Sequence, residues 1–121
     1  MFDKIKVLNN LRRQCSRREY CTKDVLAKAE KALEGDVEEA RRILATLVEE
    51  KYVDDQRYAE AYAREKSSIA GWGVVKIRYM LSAKGVDRDI ISKALQEIDE
   101  KKAEETAKRL EENKYMLFIV I

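Results

Sequence analysis

The sequence predicts an all-α protein, and three observations carry that prediction. The 121 residues contain no proline, no segment sustains the two-residue alternation of a half-buried strand, and apolar residues recur at three- and four-residue spacing between capping residues and glycines. A chain of this length makes one compact unit or a few small modules sharing a core. Its 45% hydrophobic content is enough to bury one.

Ile5, Leu8 and Leu11 give the stripe of a first helix. Ser16 has the form of an N-cap, with Glu19 three residues later completing a capping box, so a second helix is expected to start there. Cys21, Val25, Ala29, Ala32 and Leu33 fall on its inner face, and Gly35 stops it. Asp36 caps a third helix with Val37, Ala40, Leu44, Leu47 and Val48 inward. Asp54 or Asp55 opens a fourth, because a carboxylate there accepts from the free amides of the first turn and suits the positive end of the helix dipole.

On that fourth helix Tyr58, Tyr62 and Ile69 are spaced along one stripe, and Ala59 and Ala63 permit close approach of a neighbour. Gly71, Trp72 and Gly73 form a corner whose glycines can take backbone angles closed to other residues. A fifth helix follows with Val74, Ile77, Met80 and Leu81, ended by Gly85. Asp87 caps a sixth, whose inward set is Ile90, Ile91, Ala94, Leu95 and Ile98; Ala103, Ala107 and Leu110 mark a seventh between about Glu100 and Asn113. The closing run YMLFIVI is the only strand-like segment.

The parts repeat. A displacement of 51 residues lays Asp36 on Asp87, Leu44 on Leu95, Leu47 on Ile98 and Leu26 on Ile77. Cap falls on cap and core on core, as in arrays whose neighbouring units bury each other's apolar faces. The expected organisation is a three-helix repeat over residues 1–51, a second over 52–99, and the start of a third with an apolar tail over 100–121.

Charged residues make up 40% of the chain yet nearly cancel, leaving +2. They are unevenly placed. Residues 1–28 hold eight Lys/Arg against three Asp/Glu, residues 29–60 five against ten, residues 61–86 five against one, and residues 87–121 seven against nine. A fold could gather the two basic blocks on one surface. Cys15 and Cys21, in a chain without histidine, fit neither a zinc pattern nor a disulfide framework and read as core filler in a reducing cytoplasm. The amino terminus lacks the apolar core of a signal peptide, and no run reaches the roughly 20 apolar residues of a membrane span, so a soluble protein is expected.

Catalytic signals are missing. There is no imidazole base, no Gly-rich phosphate cradle followed by Lys-Ser/Thr, and the carboxylate pairs Glu38/Glu39 and Glu104/Glu105 are ordinary on exposed helix faces. The basic residues are more informative: Arg12, Arg13, Arg17 and Arg18 cluster early, while Lys66, Lys76, Arg78 and Lys84 flank the Gly-Trp-Gly corner with Tyr79 beside them. Such sets suit phosphates, stacked bases or an acidic protein surface, although solvated helix faces carry the same composition. Trp72 is expected to pack over the corner rather than to recognise a ligand.

The segments EEKYVDDQRYAEAYAREK, GWGVVKIRYMLSAKGV and DRDIISKALQEID, preceded by CSRREYC at Cys15–Cys21, together resemble the RecX family of recombination regulators over most of the chain. The resemblance implies an elongated, curved array of tandem three-helix repeats. It also implies a regulator without catalysis or cofactor that binds the RecA filament on single-stranded DNA and restrains its extension, ATP hydrolysis and strand exchange. Arg12, Arg13, Arg17, Arg18, Lys66, Trp72, Lys76, Arg78, Tyr79 and Lys84 are then the candidate contacts with filament or DNA. The chain departs from the family at its end, where YMLFIVI stands in place of a polar, basic third-repeat continuation. A monomer is expected, with self-association through that tail as an alternative. A stand-alone helical DNA-binding module and a structural adaptor remain open beside the regulator.

Overall fold

The computed structural model describes residues 3–120, with side chains at all of these except 106, 109 and 111–120. Among the described residues there are six helices and no strand: α1 (Lys4–Arg17), α2 (Thr22–Ala32), α3 (Val37–Glu49), α4 (Asp55–Ser68), α5 (Val74–Ala83) and α6 (Arg88–Val120). The all-α helical-repeat class is the one observed.

Most caps sit where the sequence puts them. Asp36 accepts from the Glu39 amide at 3.2 Å, and Asp54 accepts from the amides of Gln56 and Arg57 at 2.9 and 3.2 Å. The acidic pair divides its work, since Asp55 reaches away from its own helix toward the start of α2. The corner between α4 and α5 also divides: Gly71 takes φ +69, closed to most side chains, whereas Gly73 is the N-cap of α5 at φ −75, which any residue adopts.

The capping box at Ser16 does not form. Helix α1 continues through Arg17, and the Ser16 hydroxyl donates to the Arg12 carbonyl at 2.7 Å. The reason is tertiary: Leu11 and Cys15, one turn apart, are both buried, and only a continued helix puts Cys15 there. Helix α2 starts instead behind an extended Cys21. The expected seventh helix is likewise the continuation of α6, because residues 99–105, DEKKAEE, contain good helix formers and no breaker.

Two cores hold the fold. The first gathers Leu11, Cys15, Val25, Ala29, Leu33, Ala40, Ile43, Leu47 and Val53 from α1–α3 and the link to α4. The second gathers Tyr58, Ala59, Ala63, Ile77, Leu81, Val86, Ile91, Ala94, Leu95 and Ile98 from α4–α6, together with Cys21 from the α1–α2 link. Ala59 and Ala63 are fully buried, so α4 lies close along α6 as their small size allows. On α3 the inner face is Ala40, Ile43 and Leu47; Val37 and Val48, expected inward, lie on the flank at 41% and 45% exposure. Ile69, at the C-cap of α4, and Leu110 are exposed, as are Ala103 and Ala107. Helix α6 runs through most of the apolar run 115–121, which read as strand-like in the sequence, and the side chains through which self-association was the alternative lie outside the described residues.

The two cores are tied by polar contacts between the α1–α2 link with the first turn of α2 and the second helical unit. Asp55 accepts from the Thr22 amide at 2.8 Å and from its hydroxyl at 2.9 Å, Arg57 pairs with Glu19, and Lys84 pairs with Asp24 at 3.1 Å. The Lys23 ammonium donates to the Ala83 carbonyl at 3.2 Å. The segment CSRREYC, from the last turn of α1 to the start of α2, therefore serves both units: Cys15 enters the first core and Cys21 the second.

Candidate functional site

The early arginines separate by what they touch. Arg12 donates from Nε and Nη2 to the two carboxylate oxygens of Glu50 at 2.9 and 2.5 Å, a fork-on-fork pair joining α1 to the end of α3. That pairing raises the guanidinium's already high pKa. Arg13, one residue further round, is exposed and bonds Asn10. Arg17 is exposed with no partner among the described residues. Arg18 stacks its guanidinium 4.8 Å from the Tyr20 ring centre, with the Lys28 ammonium 5.1 Å from the same ring.

Trp72 organises the second basic set. It is half-buried against the second core and meets Tyr62 edge-on, centroids 6.4 Å apart at 67°. The ammonium of Lys66 lies 4.9 Å from the indole centre and that of Lys76 4.1 Å. Neither lysine is ion-paired to a carboxylate among the described residues. The indole thus packs over the corner and also fixes two cations at its surface, through the attraction of ammonium for the π face.

Part of the two basic blocks does converge. Arg18 from the α1–α2 link, Lys66 from α4 and Lys84 after α5 line one cleft of about 430 Å³, interleaved with Glu19, Asp24 and Glu65. Two of those carboxylates are already engaged, by Arg57 and Lys84, so the cleft is of mixed charge. Arg12, Arg13 and Arg17 do not line it.

The outer face of α5 was only half visible in the sequence. Ile77 and Leu81 point into the core, which leaves Val75 and Tyr79, one turn apart on the opposite side, 84% and 72% exposed. Arg78 sits beside them and donates to the Ser92 hydroxyl of α6 at 3.2 Å. Neither Val75 nor Arg88, at the start of α6, was singled out from the sequence. The signal for Val75 was its phase, half a turn away from Ile77 and Leu81.

The titrating groups that shift do so through burial or pairing. Burial pushes both free thiols, Cys15 and Cys21, above the usual cysteine range, so less thiolate is present near neutrality. Burial pushes the Tyr58 hydroxyl up to about 12 and the Tyr62 hydroxyl upward as well. Among the described residues no group of three or more acidic, cysteine or histidine side chains could hold a metal, and no helix is long and apolar enough to cross a membrane. The arrangement offers charged and aromatic contacts rather than an assembled acid, base or nucleophile.

Comparison with known proteins fits this geometry. The family described as RecX, second three-helix domain, matches residues 54–95, which cover α4, α5 and the first part of α6. The Regulatory protein RecX of Pectobacterium atrosepticum is 33% identical over 90 residues, 74% of this chain and 55% of that protein. The Regulatory protein RecX of Clostridium perfringens strain 13 is 37% identical over 87 residues, 72% of this chain and 39% of that protein. A solved structure, "Crystal structure of regulatory protein RecX", superposes with a TM-score of 0.70 at 25% identity, covering 78% of this chain and 46% of the other. The chain thus spans about half the length, or less, of the relatives it matches. Helix order, core spacing and sequence agree, and the chain belongs to the RecX family.

Proposed function

We propose that this protein is a non-enzymatic regulator of recombination and DNA repair in the cytoplasm. In this reading it docks as a monomer on the RecA filament formed on single-stranded DNA and restrains the filament's extension, ATP hydrolysis and strand exchange. Its relatives carry the name regulatory protein. The observation that carries the reading is the Lys66–Trp72–Lys76 cluster, two ammoniums fixed over one indole and ion-paired to no carboxylate among the described residues. A pre-ordered pair of cations beside an exposed helix face suits phosphates or an acidic protein surface, and it loses little side-chain entropy on docking. Arg13, Arg17, Arg18, Arg78, Tyr79 and Lys84 extend the contact, while Arg12, held by Glu50, ties α1 to the end of α3.

The test measures DNA-dependent ATP hydrolysis by the cognate recombinase, and filament length by electron microscopy, with and without stoichiometric protein. Both are expected to fall. If neither changes, the filament reading is lost. Reversing Lys66 and Lys76 to Glu is expected to weaken the effect at least about tenfold while leaving helicity intact, since two phosphate or carboxylate contacts become repulsions.

A further inference from the structure

Helices α5 and α6 enclose a second groove, of about 550 Å³, lined by Arg78, Ser82, Val86, Arg88, Ile91 and Ser92. Its floor is apolar: Val86 and Ile91 are 5% and 2% exposed. Its rim carries two guanidiniums and two hydroxyls. Arg78 spends one N–H on the neutral Ser92 hydroxyl, which keeps its own proton to donate, and Arg88 has no partner among the described residues. Asp87 and Asp89 flank Arg88 in sequence, yet neither is ion-paired with it or with Arg78. Several other cations are engaged, Arg12 by Glu50, Arg57 by Glu19, Lys84 by Asp24, and Arg18, Lys66 and Lys76 by aromatic rings, while Arg17 is exposed without a partner among the described residues but lines neither this groove nor the Arg18 cleft.

The aromatic residues sort in the same way. Tyr58 and Tyr62 face each other, Tyr62 also meets Trp72, and Tyr20 lies under Arg18 and Lys28. Tyr79 is the one exposed aromatic side chain among those described, and neither a ring nor a cation covers it. It follows Arg78 directly in sequence on the exposed side of α5, outside the residues that line the groove itself.

We propose that the α5–α6 groove holds the phosphodiester backbone of a single nucleic-acid strand, with Arg78 and Arg88 contacting phosphates and Tyr79 stacking on an unpaired base. Two forked guanidiniums and two hydroxyl donors match an anion with several oxygens on each group, which a lone carboxylate does not require. An exposed ring next to them favours a single strand, because bases in a duplex keep their faces covered. The proposal depends on the filament reading only for where the strand comes from; it assigns the strand to the α5–α6 groove and leaves Trp72 with Lys66 and Lys76, at the other end of α5, to the protein.

The test is fluorescence anisotropy of a labelled oligothymidylate at several salt concentrations, in parallel with the recombinase hydrolysis assay. The Arg78→Gln/Arg88→Gln variant is expected to lose at least about tenfold in affinity and to flatten the slope of log K against log salt by about 1.4, from two phosphate contacts on a single strand. Tyr79→Ala is expected to lose about tenfold with the slope unchanged, as removal of one stacked base does. Arg78→Lys/Arg88→Lys keeps both charges and is expected to retain the slope, and circular dichroism checks the fold of each variant. The proposal is overturned if wild type does not bind the strand, prefers the duplex, or is matched by the Gln variant. A Gln variant that keeps the strand but loses its effect on hydrolysis gives the groove to an acidic protein surface. A wild type that binds the strand as expected but leaves hydrolysis unchanged sinks the filament reading and leaves the groove standing.

Discussion

Replacing Trp72 by Ala tests how the corner between α4 and α5 is held. The indole is half-buried against the second core, so roughly 100–150 Å² of apolar area returns to water, worth about 3 kcal/mol at about 25 cal/mol per Å². The edge-on contact with Tyr62 adds about 0.5–1 kcal/mol, and the two ammoniums over the ring add about 0.5 kcal/mol each at an exposed site. A compact unfolded chain and relaxation around Ala take some of this back, which leaves an expected loss of about 3–4 kcal/mol. Urea unfolding followed by circular dichroism reads it directly. Trp72→Phe keeps a ring at the corner and is expected to lose only about 1 kcal/mol. A loss below about 1 kcal/mol for the Ala variant would refute the packing account and return Trp72 to the role of a dedicated contact residue.

Asp55→Ala removes both bonds to Thr22 and is expected to cost about 1–3 kcal/mol in urea unfolding, because a part-buried amide is left without its charged acceptor; a cost near zero would show that the tie between the two units is dispensable. Arg12→Ala breaks a solvent-screened pair, so only a small loss of stability is expected by the same measurement, with filament binding within about twofold of wild type; a large loss would show that the pair holds α1 on α3. Tyr58 holds its proton to about 12 when folded and to about 10 when unfolded, so its contribution is complete below pH 10 and is lost as pH rises from there through 12. About 2 kcal/mol should disappear across that window in wild type and be retained in Tyr58→Phe, as unfolding at pH 9 and pH 12 would show.

Much of the fold was legible because it is written locally. Asp36 and Asp54 cap because a short carboxylate before a periodic run satisfies free amides wherever that run lies, and Ile77, Leu81, Ile91 and Leu95 are buried because their spacing puts them on one helix face. The candidate site was less legible. Arg12, Arg13, Arg17 and Arg18 read as one cluster in sequence, yet their side chains meet Glu50, Asn10, solvent and Tyr20 respectively. Helical rotation spreads neighbours by about 100° per residue, so adjacency in sequence is not adjacency on a surface.

The sequence by itself determined the all-α class, the glycine corner and the family, because each rests on residues within a few turns of one another. Only the tertiary structure decided where α1 ends, which acidic residue caps and which one ties the units, and which cations are left unpaired. Each of those outcomes depends on a partner distant in the chain: burial of Cys15 in the first core overrode the Ser16 cap, Thr22 drew Asp55 away from its helix, and Glu50 took Arg12. A local pattern fixes what a residue can do, and the groups that folding brings against it fix what it does.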